Sequence, residues 1–129
     1  MPDFELLTSE ARAVLPEIYS RSDLVYNSSR SALWTTAIAL DKPELLKVAS
    51  QDKVHEPYRE PLIKGMRACR QRLEKAGAIA VYLSGAGTTL AAISLDDATT
   101  ENCKKAMEPY VGGGKVHILS PSNGYQYLS

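Results

Sequence analysis

The chain has few of the residues that build metal clusters or disulfide frameworks. It is 129 residues long, with two cysteines and two histidines. A structural zinc site needs about four ligands, and neither Cys69 nor Cys103 belongs to a C-x-x-C pair or has a histidine at ligand spacing. We therefore expect no metal site and two buried or half-buried thiols in a reducing compartment.

A charge excess and long apolar runs are missing too. The 15 basic and 15 acidic residues give a formal net charge of zero, so bulk electrostatics gives no reason to expect nucleic acid or an anionic membrane as partner. No apolar run approaches the roughly 20 residues that span a bilayer, and Asp3 and Glu5 interrupt any signal-peptide core. We expect a single cytoplasmic domain that binds neither nucleic acid nor membrane.

The spacing of apolar residues predicts helices first and strands later. Two apolar runs flank a short glycine turn, which favours a hairpin. The order of elements predicts an α+β fold of the ferredoxin-like, two-layer type, with an antiparallel sheet packed against helices. The predicted helices cover 9–15, 22–40, 43–50, 62–76 and 99–110, and the predicted strands cover 78–83, 90–95, 115–119 and 124–128.

The glycine turn at 84–89 is the first place that could carry chemistry. Gly85 and Gly87 let the backbone turn tightly and approach a ligand closely. The spacing matches neither the phosphate loop G-x-x-x-x-G-K-S/T nor G-x-G-x-x-G, and a strand follows instead of a helix. Taken alone, this segment is best interpreted as a plain hairpin turn.

The segment 52–59 is dense in charged and aromatic residues for a connection. Arg59 is suited to grip a carboxylate through two parallel hydrogen bonds. His55 could relay a proton, cap a helix or pair with Glu56. The simpler interpretation of the whole stretch is a solvated helix start.

Two further segments leave their role open. Thr8 and Glu10 suit a helix start, with Thr8 as the cap, whereas Arg12 faces either solvent or a site. The weak helix formers around Asn27 and Ser28 either face solvent or line a polar site. The chain has no G-x-S-x-G or H-E-x-x-H pattern and no paired carboxylates, so the sequence shows no self-sufficient active site.

These segments occur together, in this order, in one family. Residues 8–16 resemble the T-x-x-A-R-x-x-L-P stretch of homoserine kinases, and 22–27 resemble their D-x-V-x-N helix start. Residues 52–59 resemble their D-K/R-L/V-H-x-P-Y-R segment. Residues 83–89 are similar to the motif L-S-G-A/S-G-P-S/T of the superfamily that also contains galactokinase and mevalonate kinase.

The resemblance implies a function. The family transfers the γ-phosphoryl group of ATP, with Mg²⁺, to the hydroxyl of L-homoserine in threonine synthesis. Residues 1–129 are then expected to form the C-terminal, substrate-side domain, without the N-terminal ATP-binding domain and inactive alone. The substrate-binding positions fall on Arg12, Arg59 and Thr8. The turn beside the nucleotide falls on Gly85, Ala86 and Gly87.

One departure and two alternatives accompany the resemblance. Thr88 stands where the motif usually has proline, which loosens the turn because the fixed φ of proline is lost. No catalytic base is visible. The alternative functions are a standalone amino-acid-binding module and a dimerisation module, and partners include L-homoserine, a separately encoded N-terminal half and a second copy in a homodimer.

Overall fold

The computed structural model describes residue 2 and residues 5–121. Short 3₁₀ turns lie at Pro43–Leu45 and Glu60–Leu62. The elements, in chain order, are α1 (Thr8–Ala13), α2 (Arg21–Ala39), α3 (Leu46–Ala49), α4 (Glu56–Arg59), α5 (Met66–Lys75), β1 (Ala80–Leu83), β2 (Leu90–Ile93) and α6 (Asp97–Val111).

The predicted hairpin is present. β1 and β2 pair antiparallel, with Leu83 opposite Leu90, and the Ser84 N–H donates to the Thr89 carbonyl at 2.8 Å to close the turn. The strand predicted at 115–119 is wrong, since no strand is assigned there and Leu119 is 86% exposed. A strand needs a pairing neighbour as well as apolar residues. The fourth predicted strand, 124–128, lies outside the described residues.

One core joins the hairpin to α5 and α6. Eight buried residues from these elements and the segment before α5 form it: Ile63, Met66, Cys69, Leu73, Val81, Leu83, Leu90 and Cys103. Burial raises the pKa of the Cys69 thiol to about 11. The α+β fold, with an antiparallel sheet packed against helices, is confirmed. No helix in the described part of the chain is both long and apolar enough to cross a membrane.

Helix α2 packs through a face that the apolar spacing does not predict. Its apolar positions Leu24, Val25 and Ile38 are 51%, 62% and 66% exposed, and Ala37 is its one buried residue. Asn27, Arg30, Trp34 and Ala37, spaced by three or four residues, share one helix face, and none of them is exposed. Leu24, Val25 and Ile38 therefore lie away from the face of α2 that packs inward.

The predicted cap of α1 is not the one that the structure shows. Thr8 is the first helical residue of α1 and not its cap; Leu7 holds the cap position and makes no side-chain cap bond. A side-chain cap requires extended backbone at the capping residue, and here that backbone belongs to Leu7. Gly77 ends α5 in the way typical of glycine: its φ is +102°, and the following N–H, of Ala78, donates back to the Leu73 carbonyl at 3.0 Å.

Candidate functional site

Arg59 joins three separate segments of the chain. From the end of α4 its Nε donates to the carbonyl of Ala11 in α1, 3.0 Å away. Its Nη1 donates to the carbonyl of Gly85 in the glycine turn, at 3.1 Å, and lies 3.4 Å from His55 Nδ1. Nη2 makes no hydrogen bond within the described residues. Arg59 is only half-buried, so this nitrogen is a donor available to a ligand.

Helix α1 places Thr8 and Arg12 on one face. The two residues are four positions apart within a helix, and both are exposed. Ala11, directly before Arg12, is fully buried and supplies the carbonyl that Arg59 holds. The bond to Ala11 therefore brings the guanidinium of Arg59 to the residue beside Arg12.

Asp52 organises the start of α4. Its Oδ2 accepts the N–H groups of Val54, His55 and Glu56 at 3.1, 2.7 and 2.7 Å. Burial by itself would raise the pKa of this carboxyl, but these N–H donors and Asn27 favour its charged form and hold the pKa below the usual value. Asp52, and not a residue of α4 itself, therefore satisfies the open N–H groups at the helix start.

Asn27 connects this segment to α2. Its Nδ2 donates to Asp52 Oδ1 at 2.6 Å, and its Oδ1 accepts the Lys53 N–H at 2.9 Å. Ser28, the next residue, is exposed. Each of the two alternatives for this part of α2 therefore applies to one residue. Asn27 makes polar contacts within the protein, and Ser28 faces solvent.

His55 lies between Asp52 and Arg59. Nε2 is 3.4 Å from Asp52 Oδ1, and Nδ1 faces the Arg59 guanidinium. Because an arginine guanidinium can only donate, Nδ1 is the accepting atom in the contact with Arg59, and Nε2 faces the Asp52 carboxylate. His55 holds the cap position of α4 but makes no side-chain cap bond, and its carboxylate neighbour is Asp52 instead of Glu56.

The glycine turn is held from several sides. Gly85 and Gly87 have φ of +65° and +115°, and the Gly87–Thr88 peptide bond is cis. A Cβ at Gly87 would lie 2.9 Å from Ile63 Cδ1, whereas one at Gly85 would meet nothing within 4 Å. The backbone at Gly85 is therefore open to close approach by a ligand.

Tyr110 in α6 supports the same turn. Its hydroxyl donates to the carbonyl of Thr88 at 2.5 Å, and Thr88 is 8% exposed. Burial is the main cause that raises the pKa of Tyr110, to about 12. No local pattern in the sequence connects these two residues.

A cavity of about 420 Å³ lies beside this arrangement, between α2 and the segment leading into α4. His55, Asp52 and Trp34 are among its lining residues, and Arg59 and the glycine turn lie outside that lining. We place the candidate site at Arg59 because the exposed donors and the three converging segments are there.

The structure brings most of the predicted residues together. Arg59 contacts Gly85 directly and reaches the residue before Arg12, while Thr8 lies one helical turn from Arg12. Sequence reasoning missed Glu56 and Asp52 as organising residues. Each stands in the quoted 52–59 segment, but its partners are backbone groups and side chains from other parts of the chain as well as from the segment itself, and no local pattern reveals them.

The fold agrees with the comparisons. The model of the family described as "GHMP kinases C terminal" matches residues 37–112, which include Arg59 and the glycine turn. The chain belongs to that family. Within it, the chain is similar to homoserine kinases from several organisms.

Three relatives illustrate the similarity. The homoserine kinase of Picosynechococcus is 46% identical over 105 residues, which is 81% of this chain and 33% of that protein. The homoserine kinase of Aquifex aeolicus is 39% identical over 125 residues, 97% of this chain and 39% of that protein. A crystal structure of homoserine kinase from Cytophaga hutchinsonii superposes with a TM-score of 0.81 at 26% identity, covering 84% of this chain and 34% of that one. The chain thus spans about a third of the length of these relatives.

Proposed function

We propose that this chain is the substrate-side part of a cytoplasmic homoserine kinase, which phosphorylates the side-chain hydroxyl of L-homoserine in threonine synthesis. The observation that carries the proposal is the position of Arg59. It holds the glycine turn and the α1 segment beside Arg12 with two hydrogen bonds. Similarity to homoserine kinases over up to 97% of the chain supports it.

The arrangement suggests how an amino-acid substrate would be held. The Nε and Nη1 of Arg59 already donate within the protein. Neither edge of the guanidinium therefore has both of its nitrogens free for a pair of parallel hydrogen bonds to a carboxylate. Nη2 would donate to one carboxylate oxygen, and the exposed Arg12 would neutralise the other. Hydrogen bonds to charged groups contribute about 1.5–3 kcal/mol each. Thr8, on the face of Arg12, would lie near the same substrate.

Positioning of this kind suits phosphoryl transfer. In the reaction the substrate hydroxyl oxygen forms a bond to the γ-phosphorus, the bond from that phosphorus to the β–γ bridging oxygen breaks, and the hydroxyl proton is lost. Catalysis of this step rests mainly on positioning and charge neutralisation. Anchoring the carboxylate at Arg12 and Arg59 would fix one end of homoserine and leave its hydroxyl pointing at the phosphate.

The proposal assigns ATP mainly to an N-terminal half that residues 1–129 do not contain. The turn Gly85–Ala86–Gly87 would contribute one wall beside the nucleotide, in keeping with the open space over Gly85. The described residues contain no group of three or more histidine, cysteine, aspartate or glutamate side chains that could hold a metal ion. Mg²⁺ is accordingly proposed to accompany the nucleotide in the whole enzyme.

A chimeric enzyme tests the proposal. The third of the Picosynechococcus homoserine kinase that matches this chain is replaced by residues 1–129, and homoserine-dependent ADP formation is measured. We expect activity that neither the isolated chain nor the remaining part of the relative shows. A folded chimera without such activity would contradict the assignment.

Matched arginine variants locate the substrate. In the chimera, Arg12→Gln should raise KM for L-homoserine, while Arg72→Gln, an exposed arginine on α5, should not. Calorimetry on the isolated chain with L-homoserine, L-threonine and ATP separates the alternatives. Amino-acid binding without turnover in any chimera would indicate a binding module, and a dimer in light scattering would support the dimerisation module.

A further inference from the structure

Among the residues that the structure describes, two side chains and no strand cover the outer edge of β1. β1 pairs with β2 on one side, where Tyr82 stands opposite Ala91 and Ser84 bonds to Thr89. In an antiparallel pair, alternate residues point their backbone groups away from the partner strand. The N–H of Leu83 and the carbonyl of Val81 are therefore the groups that an additional strand would meet.

Glu56 and Arg70 take the place of that strand. Glu56 Oε1 accepts the N–H of Leu83 at 2.5 Å, and Arg70 Nη1 donates to the carbonyl of Val81 at 2.5 Å. The two side chains also pair with each other, Arg70 Nη2 to Glu56 Oε2, at 2.5 Å. One acceptor and one donor thus satisfy two edge groups. Glu56 is 8% exposed, so its carboxylate is well shielded from solvent.

The position of Glu56 links this edge to Arg59. Both residues lie on α4, three positions apart. Glu56 holds the N–H of Leu83, the last residue of β1, and Arg59 holds the carbonyl of Gly85, two residues further on. Helix α4 therefore holds the chain at two residues, one before and one after Ser84, where the glycine turn begins.

We propose that Glu56 is a positioning residue that sets the glycine turn against Arg59 and thereby orients the free Nη2 of that arginine. With its Nε fixed to Ala11, the guanidinium of Arg59 is directed by where Gly85 lies. Releasing Leu83 would let the turn shift and rotate Nη2 away. The consequence for substrate binding rests on the proposed function, whereas the consequence for the turn does not.

A pair of isosteric variants tests the role in the turn. Glu56→Gln removes the charge that faces Arg70. Glu60→Gln is the matched control, because Glu60 pairs with Arg67 at the same 2.5 Å but its carboxylate holds no strand backbone group. Both chains are compared with wild type by amide NMR and hydrogen exchange, at a temperature where circular dichroism shows all three folded.

The expected results differ between the two variants. In Glu56→Gln, exchange at the Leu83 amide should accelerate about tenfold, the order expected for weakening a charge-assisted hydrogen bond. The Gly85 and Gly87 amide resonances should move, while the Ser84 amide, which donates to β2, keeps its protection. Glu60→Gln should change none of these. Unaltered Gly85 and Gly87 resonances in Glu56→Gln would overturn the proposal.

A second variant covers the case in which Glu56→Gln does not fold. Removing both partners, as Glu56→Met with Arg70→Met, leaves no unpaired buried charge and releases the Leu83 N–H and the Val81 carbonyl together. The turn resonances should move in this variant as well. A folded double variant with an unchanged turn would count against the proposal.

Calorimetry with L-homoserine provides the functional readout. Because small displacements in a binding site are costly, we expect Glu56→Gln to weaken affinity by about tenfold and Glu60→Gln by less than about twofold. Equal affinity in Glu56→Gln, with the turn displaced, would overturn the role in binding. Absence of binding by wild type would count against the proposed function, and the NMR result would then decide the positioning of the turn by itself.

Discussion

Arg59 donates a hydrogen bond from Nη1 to the carbonyl of Gly85, 3.1 Å away. The two residues are 26 positions apart: Arg59 is the last residue of α4, and Gly85 lies in the turn between β1 and β2. Arg59 also holds the Ala11 carbonyl in α1. Arg59, which is expected to bind substrate, therefore also stabilises the fold. Arg12, the other arginine expected to bind substrate, is exposed.

The first prediction contrasts these two arginines. Arg59→Gln removes two internal hydrogen bonds from a charged donor, so it should lower the free energy of unfolding by about 1–3 kcal/mol. Arg12→Gln changes an exposed side chain and should stay within about 0.5 kcal/mol of wild type. Urea denaturation followed by circular dichroism measures both. Equal loss of stability in the two variants would contradict the roles assigned here.

The two arginines also mark what sequence reasoning reaches. The spacing T-x-x-A-R predicts that Thr8 and Arg12 share a helix face, because that relation depends only on helical geometry. The contact from Arg59 to Gly85 depends on how α4 packs against the end of β1. No periodicity in either segment contains that information.

Helix α2 shows the same limit for the fold. Apolar spacing identifies the helix and nearly its ends, but its apolar residues lie on more than one side. The inward face was decided by partners distant in sequence: Asn27 by the carboxylate of Asp52 and Trp34 by the edge-to-face contact with Tyr82. The hairpin was predictable because its two strands and turn are contiguous in sequence, whereas a strand at 115–119 would have needed a distant neighbour.

The second prediction concerns the two glycines of the turn. Gly87→Ala combines a φ of +115° with a Cβ only 2.9 Å from Ile63, so strain and overpacking should together cost about 2–4 kcal/mol. In Gly85→Ala the new Cβ meets no atom within 4 Å. The only cost is the left-handed φ of +65°, which should lower the stability by about 1–2 kcal/mol. Thermal unfolding of both variants gives the comparison. A smaller loss for Gly87→Ala than for Gly85→Ala would show that the turn packs differently.

The third prediction is an acid-side change in stability at Asp52. The pKa of this carboxyl is lower in the folded chain than its unfolded value of about 3.9, so the stability it contributes is present above that value. It is lost as pH falls through the folded pKa. Asp52→Asn should cost about 1–3 kcal/mol at pH 7 and progressively less below about pH 4.

Asp96 offers a matched control for this effect. Its pKa is also lowered, chiefly by the Thr99 N–H, but it caps α6 as an exposed residue. Asparagine caps a helix about as well as aspartate, so Asp96→Asn should change stability little at pH 7. Urea midpoints measured from about pH 2 to pH 7 test both. Parallel curves for wild type and Asp52→Asn would contradict the role given to Asp52.

The fourth prediction is a loss of stability at alkaline pH that depends on Tyr110. Burial raises its pKa to about 12 in the folded chain, above the unfolded value of about 10. The unfolded chain thus releases this proton first, so the stability is present below about pH 10 and is lost as pH rises toward the folded pKa. Tyr110→Phe should remove that part of the decline, and losing the bond to Thr88 should cost about 0.5–1.5 kcal/mol at pH 7.

A second tyrosine makes this result specific. Tyr58 is 38% exposed, so Tyr58→Phe controls for the loss of a tyrosine hydroxyl as such and should leave the stability at pH 7 close to wild type. Some decline should persist in Tyr110→Phe, since burial also raises the pKa of Cys69, to about 11. Guanidinium denaturation between about pH 7 and pH 11 distinguishes the two variants. If Tyr110→Phe and wild type lost stability equally over this range, the Tyr110 hydroxyl would titrate as it does in the unfolded chain, and its bond to the glycine turn could not be the one described.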